Sequence, residues 1–436
     1  MQRLVFLLLA LFAISPVLSQ TCQAQESQST QPEMRAKWKA WHETMKRTPK
    51  PSNKGCFKAS YPDTTWQETT CKIAPLVPYP PKTSARHQAT GNVGGARPYT
   101  VGNGSDDAAS VSGTLSSATG SFPIVSGLSS ATAYSLQLNS EFFTTSVCES
   151  AAVPSACQGW QQFVYTSSPS EIFIQYWLLD WGTTCPSGWT ANGSDCYKNS
   201  SATDSTAPLL ANWGALELVG ESAGSTDKVT FYNGAGDVSA TGEDSVLNLD
   251  LSWNQAEFNV FGNGNGSEVS FNSDATFVVE TSLVNGTTTA PACEATGFTG
   301  ETNNFSLIGA CCPHAGSTYV SPSIQFMESN NSSATWSCST GGNFTATPGS
   351  GGTYTSSGGE YPNITFTETL TDSTPGASIY WQVAGCSGST SGSDPASSGG
   401  GFTLYYSSES NCNPSGTIYA TASGYLPSQV STIDFP

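Results

Sequence analysis

Residues Ser252–Gly264 read SWNQAEFNVFGNG. Ala256, Phe258 and Val260 alternate with Gln255, Glu257 and Asn259, the period of two that gives a strand one core face and one open face. The stretch predicts a strand ending at the Gly-Asn-Gly turn, with Glu257 on the open face between two amides. A carboxylate so placed is either solvated surface or part of a polar cleft, and the rest of the chain bears on which.

The same alternation recurs from about Pro98 to about Phe344. The better runs are SVSGTL (110–115), SLQLNSEFF (135–143), WQQFVYT (160–166), IFIQYWLLDW (172–181), ALELVG (215–220), KVTFYNG (228–234), VLNLDLSW (246–253), AEFNVFG (256–262), EVSFN (268–272) and TFVVETSLV (276–284). Gly, Asn and Ser turns separate them and no helical pattern intervenes, which predicts an all-β chain with an antiparallel β-sandwich body over 98–344. A Gly/Ser/Thr stretch starting at 345 marks a boundary, with a second module expected over 345–436.

The chain has 436 residues and opens with a targeting pattern. Arg3 precedes an apolar run of 11 residues, Leu4–Ile14, too short to span a bilayer but suited to a signal peptide over 1–24. A secreted, extracellular protein is expected. The 13 cysteines fit an oxidising compartment, and removal of 1–24 leaves 12. Sequential pairing suggests Cys56/Cys71, Cys148/Cys157, Cys185/Cys196 and Cys386/Cys412. The pairing of Cys293, Cys311, Cys312 and Cys338 is left open, and no CxxC or Cys/His array suggests a metal.

Charge is uneven. Of 15 Lys and Arg, 13 lie at or before Arg97, whereas Pro98–Pro436 holds 28 Asp and Glu against Lys198 and Lys228 alone, a net of −26. That balance argues against nucleic acid or an anionic membrane as partner, and it favours an acidic working pH at which self-repulsion relaxes. Within 25–97, a basic amphipathic segment EMRAKWKAWHETMKRTPKP (33–51) stops at Pro49 and Pro51. It reads either as a prosegment laid on an acidic groove or as a solvated extension. A Cys-clipped, Pro-rich unit (55–81) follows it.

The chemistry available is narrow. His42, His87 and His314 are the only histidines, none in a well-patterned strand, so a Ser–His–Asp triad and an HExxH zinc site are both disfavoured. No Asp-Thr/Ser-Gly pair occurs. Carboxylates remain, either as a glycosidase pair of Glu257 with Glu141 or Asp180, or as a single general acid/base. Gln137, Asn139 and Glu141 share one strand face and are candidate groove residues, with Trp177 and Trp181 as candidate subsite walls. Gln161 and Gln162 point to opposite faces. If Phe163 and Tyr165 belong to the core, Gln161 goes inward with them and Gln162 faces the groove.

From about 98 to 310 the strand series resembles the eqolisin family, the glutamic peptidases, acid-acting β-sandwich endopeptidases of concanavalin-like fold that use a Glu/Gln pair. AEFNVFG is similar to the family's Ala-Glu-Trp strand, which places the catalytic Glu on Glu257. CQGWQQFVYT is similar to the Gln-bearing strand, which places the catalytic amide on Gln162 or Gln161, and IFIQYWLLDWG to the aromatic strand that follows. SLQLNSEFF stands where the family has Trp-x-Gly-Ile-Asp-Gly and lacks the Trp and both Gly. The C-terminal pieces TPGASIYW and GTIYATASGYLPSQVSTIDF resemble the small Ig-like module that ends chitobiases and hexosaminidases, an appendage without active-site chemistry. The resemblance implies a monomeric, cofactor-free enzyme with a polypeptide substrate. The competing expectation is a secreted glycan-binding or adhesion protein.

Overall fold

The structure is a computed structural model. It describes residues 41–82, 100–316 and 321–336 except 43, 47, 234 and 235, together with Cys338 and, further on, short strands only. The chain is all-β, as the alternation predicts. Nine strands form one antiparallel sheet in the order Gln67–Thr69, Cys56–Ser60, Gly236–Glu243, Thr226–Tyr232, Glu217–Ala223, Ser117–Ser126, Thr276–Val284, Ser323–Ser329, Ser306–His314. The second sheet runs Ala292–Ala295, Asp107–Ser110, Gln255–Gly262, Tyr134–Ser140, Gln158–Ser167, Ser170–Leu179, Asp195–Asn199, Thr190–Asn192, with Ser201–Asp204 and Lys72–Ile73 joined at its side.

One apolar core lies between the sheets. Phe122, Phe163, Tyr165, Trp213, Phe258 and Phe277 are all fully buried in it. The rings of Phe122 and Phe258 sit 5.2 Å apart, a tilted contact that aromatic pairs favour. Two mid-strand glycines make room: a Cβ on Gly120 would fall 1.9 Å from Phe258, and one on Gly220 would fall 2.4 Å from Phe163. Gln161 faces this interior with Phe163 and Tyr165, as their aromatic pairing predicts.

Three expected strands are different in fact. In place of a strand over 246–253, two 3-10 turns, Asp244–Val246 and Leu249–Leu251, span 244–251, because Asn248 adopts a left-handed φ of 56° and Asp244 accepts hydrogen bonds from Ser222 and the Asp250 N–H. SVSGTL is a bend after Asp107–Ser110, and EVSFN contributes only Glu268–Val269, paired in parallel with Thr302–Asn303. The Cys-clipped unit is part of the body, since Cys56–Ser60 pairs with Gly236–Glu243.

The described end of the basic segment, helical at Trp41, His42 and Thr44–Lys46, packs Trp41 and Met45 on Ala59, Val219 and Tyr232 of the nine-stranded sheet. Lys46 pairs with Glu217 and Lys50 with Glu221 at 2.9 Å. Charge complementarity therefore holds this described end on the opposite sheet from Glu257; the part of the basic segment before Trp41, on which the groove-covering expectation also rests, lies outside the described residues.

Five disulfides lie among the described residues. Cys56–Cys71, Cys148–Cys157 and Cys185–Cys196 are as expected, and the open cluster resolves as Cys293–Cys311 and Cys312–Cys338. Cys386 and Cys412 lie outside the described residues. In the C-terminal region Gly388–Pro395, Ser378–Gly385, Ser415–Thr421 and Ser431–Asp434 form a separate antiparallel sheet in that order. No helix among the described residues is long and apolar enough to cross a membrane.

Candidate functional site

Register decides which side chains meet. Glu257 pairs with Asn139, Asn139 with Gln162, Gln162 with Gln175, and Gln175 with Asn199. Residues directly opposite across strands share a face, so these five make one polar row across the ten-stranded sheet, on the side away from the core. On one flank runs an aromatic row, Trp160, Trp177 and Tyr197; on the other, Val164 and Phe173.

The row is hydrogen-bonded along its length. Asn139 Nδ2 donates to Glu257 Oε2 at 2.9 Å and lies 3.4 Å from Gln137 Oε1, which accepts from Gln162 Nε2 at 3.0 Å. Trp177 Nε1 donates to both Gln162 Oε1 and Gln175 Oε1 at 3.0 Å. These bonds fix the amide of Gln162 with its oxygen toward Trp177 and its nitrogen toward the Glu257 side.

Glu257 is fully buried, which corrects its expected place on an open face. The loop 296–301 lies over it. Phe298 N donates to Glu257 Oε2 at 2.9 Å, Oε1 has no hydrogen-bond partner, and a Cβ on Gly297 would come within 2.8 Å of that oxygen. Burial pushes the carboxyl up to about 7, opposed by Asn139, the Phe298 and Thr299 N–H groups and the charge of Lys82.

Two further carboxylates adjoin the site through Asn259, and no pattern in the sequence marks them. Asp106 Oδ2 accepts from Asn259 Nδ2 at 3.2 Å, and Glu328 Oε2 accepts from Asn259 at 3.1 Å and Asn303 at 3.0 Å. Asp106 is held well above the ordinary carboxylate range by burial, then by the charges of Glu257 and Glu328. Burial lifts Glu328 to about 8 and Glu301, beside Gln137, to about 7. Asp106 follows a turn and Glu328 sits on the other sheet, so only the tertiary fold brings them to Glu257.

Other expected site residues lie elsewhere. Gln161 is inside the sandwich beside Asp227, not in the row. The carboxylate of Glu141 accepts from the backbone N–H groups of Asn254 and Gln255 at 2.9 and 3.0 Å, which clamps the entry to the Glu257 strand and takes it out of the groove. Asp180 turns the chain with a φ of 49°, so Trp181 leaves the face of Trp177. Trp181 lines an open cavity of about 480 Å³ with Trp189, Lys198 and Glu243. No group of three or more potential metal ligands occurs among the described residues.

No family model, curated protein or solved structure matches the chain.

Proposed function

We propose that this protein is a secreted, acid-acting endopeptidase of the glutamic type, with Glu257 as general base and acid and Gln162 as the amide that polarises the scissile carbonyl. Glu257 takes a proton from water as the water oxygen bonds to the carbonyl carbon. The carbonyl electron pair moves onto oxygen, where the Gln162 amide N–H stabilises it, and collapse expels the amine with the proton from Glu257. The observation that carries this reading is the single cross-strand row in which Glu257 and Gln162 are joined through Asn139 and Gln137. An amide donor keeps its function in acid, where an imidazole is locked in its charged form. Export is supported by the signal-like N-terminus and the five disulfides.

Substrate access requires the loop 296–301 to lift from Glu257, and opening would restore water to the carboxyl and lower its pKa. The test is incubation with denatured casein from pH 2 to pH 7 with pepstatin present. Pepstatin-insensitive cleavage in acid, absent in Glu257→Gln, supports the reading; no cleavage at any pH overturns it. The second reading, a glycan-binding protein, rests on the open cavity between Trp181 and Trp189. Saturable binding of oligosaccharides that Trp189→Ala abolishes would favour it.

A further inference from the structure

Residues Ala74–Lys82 read APLVPYPPK, four prolines in nine residues, and they cross the ten-stranded sheet over its polar row without becoming a strand of it. Two side chains of the sheet and two backbone N–H groups of the loops beside it hold this strap mainly by its carbonyls. Pro75 O accepts from Asn199 Nδ2 at 2.8 Å, Val77 O from Gln175 Nε2 at 3.0 Å, Pro78 O from Asn265 N and Pro80 O from Gly300 N, both at 2.7 Å. Tyr79 N donates back to Gln175 Oε1 at 2.7 Å, so one side-chain amide binds a carbonyl and an N–H two residues apart, as a neighbouring strand would. The Tyr79 ring is buried against Val164 and Phe173, and its hydroxyl reaches Asn263 Oδ1 at 3.2 Å. Lys82 N donates to Phe298 O at 2.7 Å, which ties the strap to the loop over Glu257.

This pattern suits proline in particular. Proline has no N–H to leave unsatisfied, its ring presets an extended backbone, and its carbonyl stays free to accept. Donors that reach carbonyls at 75, 77, 78 and 80, with an aromatic socket at 79, would hold another chain of the same kind equally well. We propose that this face is a docking groove for an extended, proline-rich polypeptide from another protein, and that Ala74–Lys82 is its resident occupant, which the incoming chain must displace. The inference rests on the peptidase reading only in calling that chain a substrate; docking itself needs no hydrolysis.

The probe is a fluorescein-labelled peptide APLVPYPPK, titrated at pH 7 by anisotropy into the full-length protein carrying Tyr79→Ala, with mass spectrometry showing the peptide intact. Removing the ring loosens the strap and frees its socket. Binding at least ten-fold tighter than to the wild-type chain is expected, and at least ten-fold tighter than for the peptide with its four prolines replaced by alanine. Adding Gln175→Ala should abolish it. No saturable binding, or equal affinity for the alanine peptide, overturns the proposal. If Tyr79→Ala does not fold, the double variant Pro80→Gly, Pro81→Gly loosens the strap while leaving the buried ring, and the same outcomes decide. Casein cleavage without peptide binding would sink this inference alone, and peptide binding without cleavage would sink the peptidase reading alone.

Discussion

Glu257 carries two separable properties, a proton shuttle and a buried acid. Glu257→Gln keeps the volume and the acceptor for Asn139 and Phe298 but removes the shuttle, so turnover should fall by about 10²–10⁴-fold. Its effect on stability has a sign fixed by linkage. A carboxyl raised from its ordinary value to about 7 binds a proton more tightly in the folded chain than in the unfolded one. Its contribution is present below about pH 4 and is lost as pH rises through 7, a cost on the order of 3 kcal/mol at pH 8. The glutamine needs no proton, so the difference in unfolding free energy between pH 4 and pH 8, measured in urea, should shrink in the mutant. An unchanged difference would show that Glu257 is not held neutral. Gln162→Glu should impair turnover most at high pH and recover as the new carboxyl protonates, which a pH–rate profile would display.

At the scale of the element, the loop 296–301 decides whether the site is open. Gly297 passes so close to Glu257 Oε1 that a methyl group must displace something. Gly297→Ala should lower stability by about 1–3 kcal/mol and bring the Glu257 pKa down toward that of a hydrated carboxyl. Carboxyl NMR titration reads the second effect, and an unshifted Glu257 would mean that the loop does not control its hydration. Little of this loop is legible in sequence. Thr276–Val284 and Gln255–Gly262 announce themselves because alternation is a local signal that a buried strand face enforces. The same signal misleads at 246–253, where the apolar residues alternate but Asn248 turns the chain. It also says nothing of what covers a polar face, which is why Glu257 reads as open and lies buried, and why Asp106, Glu328 and the place of the Pro-rich segment over the row go unseen. The Gln161/Gln162 distinction was readable, since the aromatics at 163 and 165 reveal the core face.

Across the whole molecule the buried acids act in one direction. Burial raises Asp107 to about 6, Asp227, Glu257 and Glu301 to about 7, and Asp237 and Glu328 to about 8. Each stabilises the fold below the unfolded carboxyl value near 4 and withdraws that support as pH rises through its folded value. Asp63 and Glu243, lowered by Thr65 and Lys54, act oppositely but are fully exposed. The melting temperature should therefore peak near pH 4 and fall by about 10 °C or more by pH 8; a higher melting temperature at pH 8 than at pH 4 would contradict the burial of these groups. Acid that stabilises the fold also strips the negative charge that keeps copies apart. The placement of the disulfides meets that hazard. Cys56–Cys71 lies beside the edge strand Gln67–Thr69, Cys185–Cys196 beside Thr190–Asn192, and Cys293–Cys311 ties the edge strands of the two sheets to each other. An edge so clipped offers a poor template for another chain. The bridges thus guard against fibril growth as well as unfolding: at pH 4 the reduced protein should seed thioflavin-positive aggregates, while the oxidised protein stays dispersed.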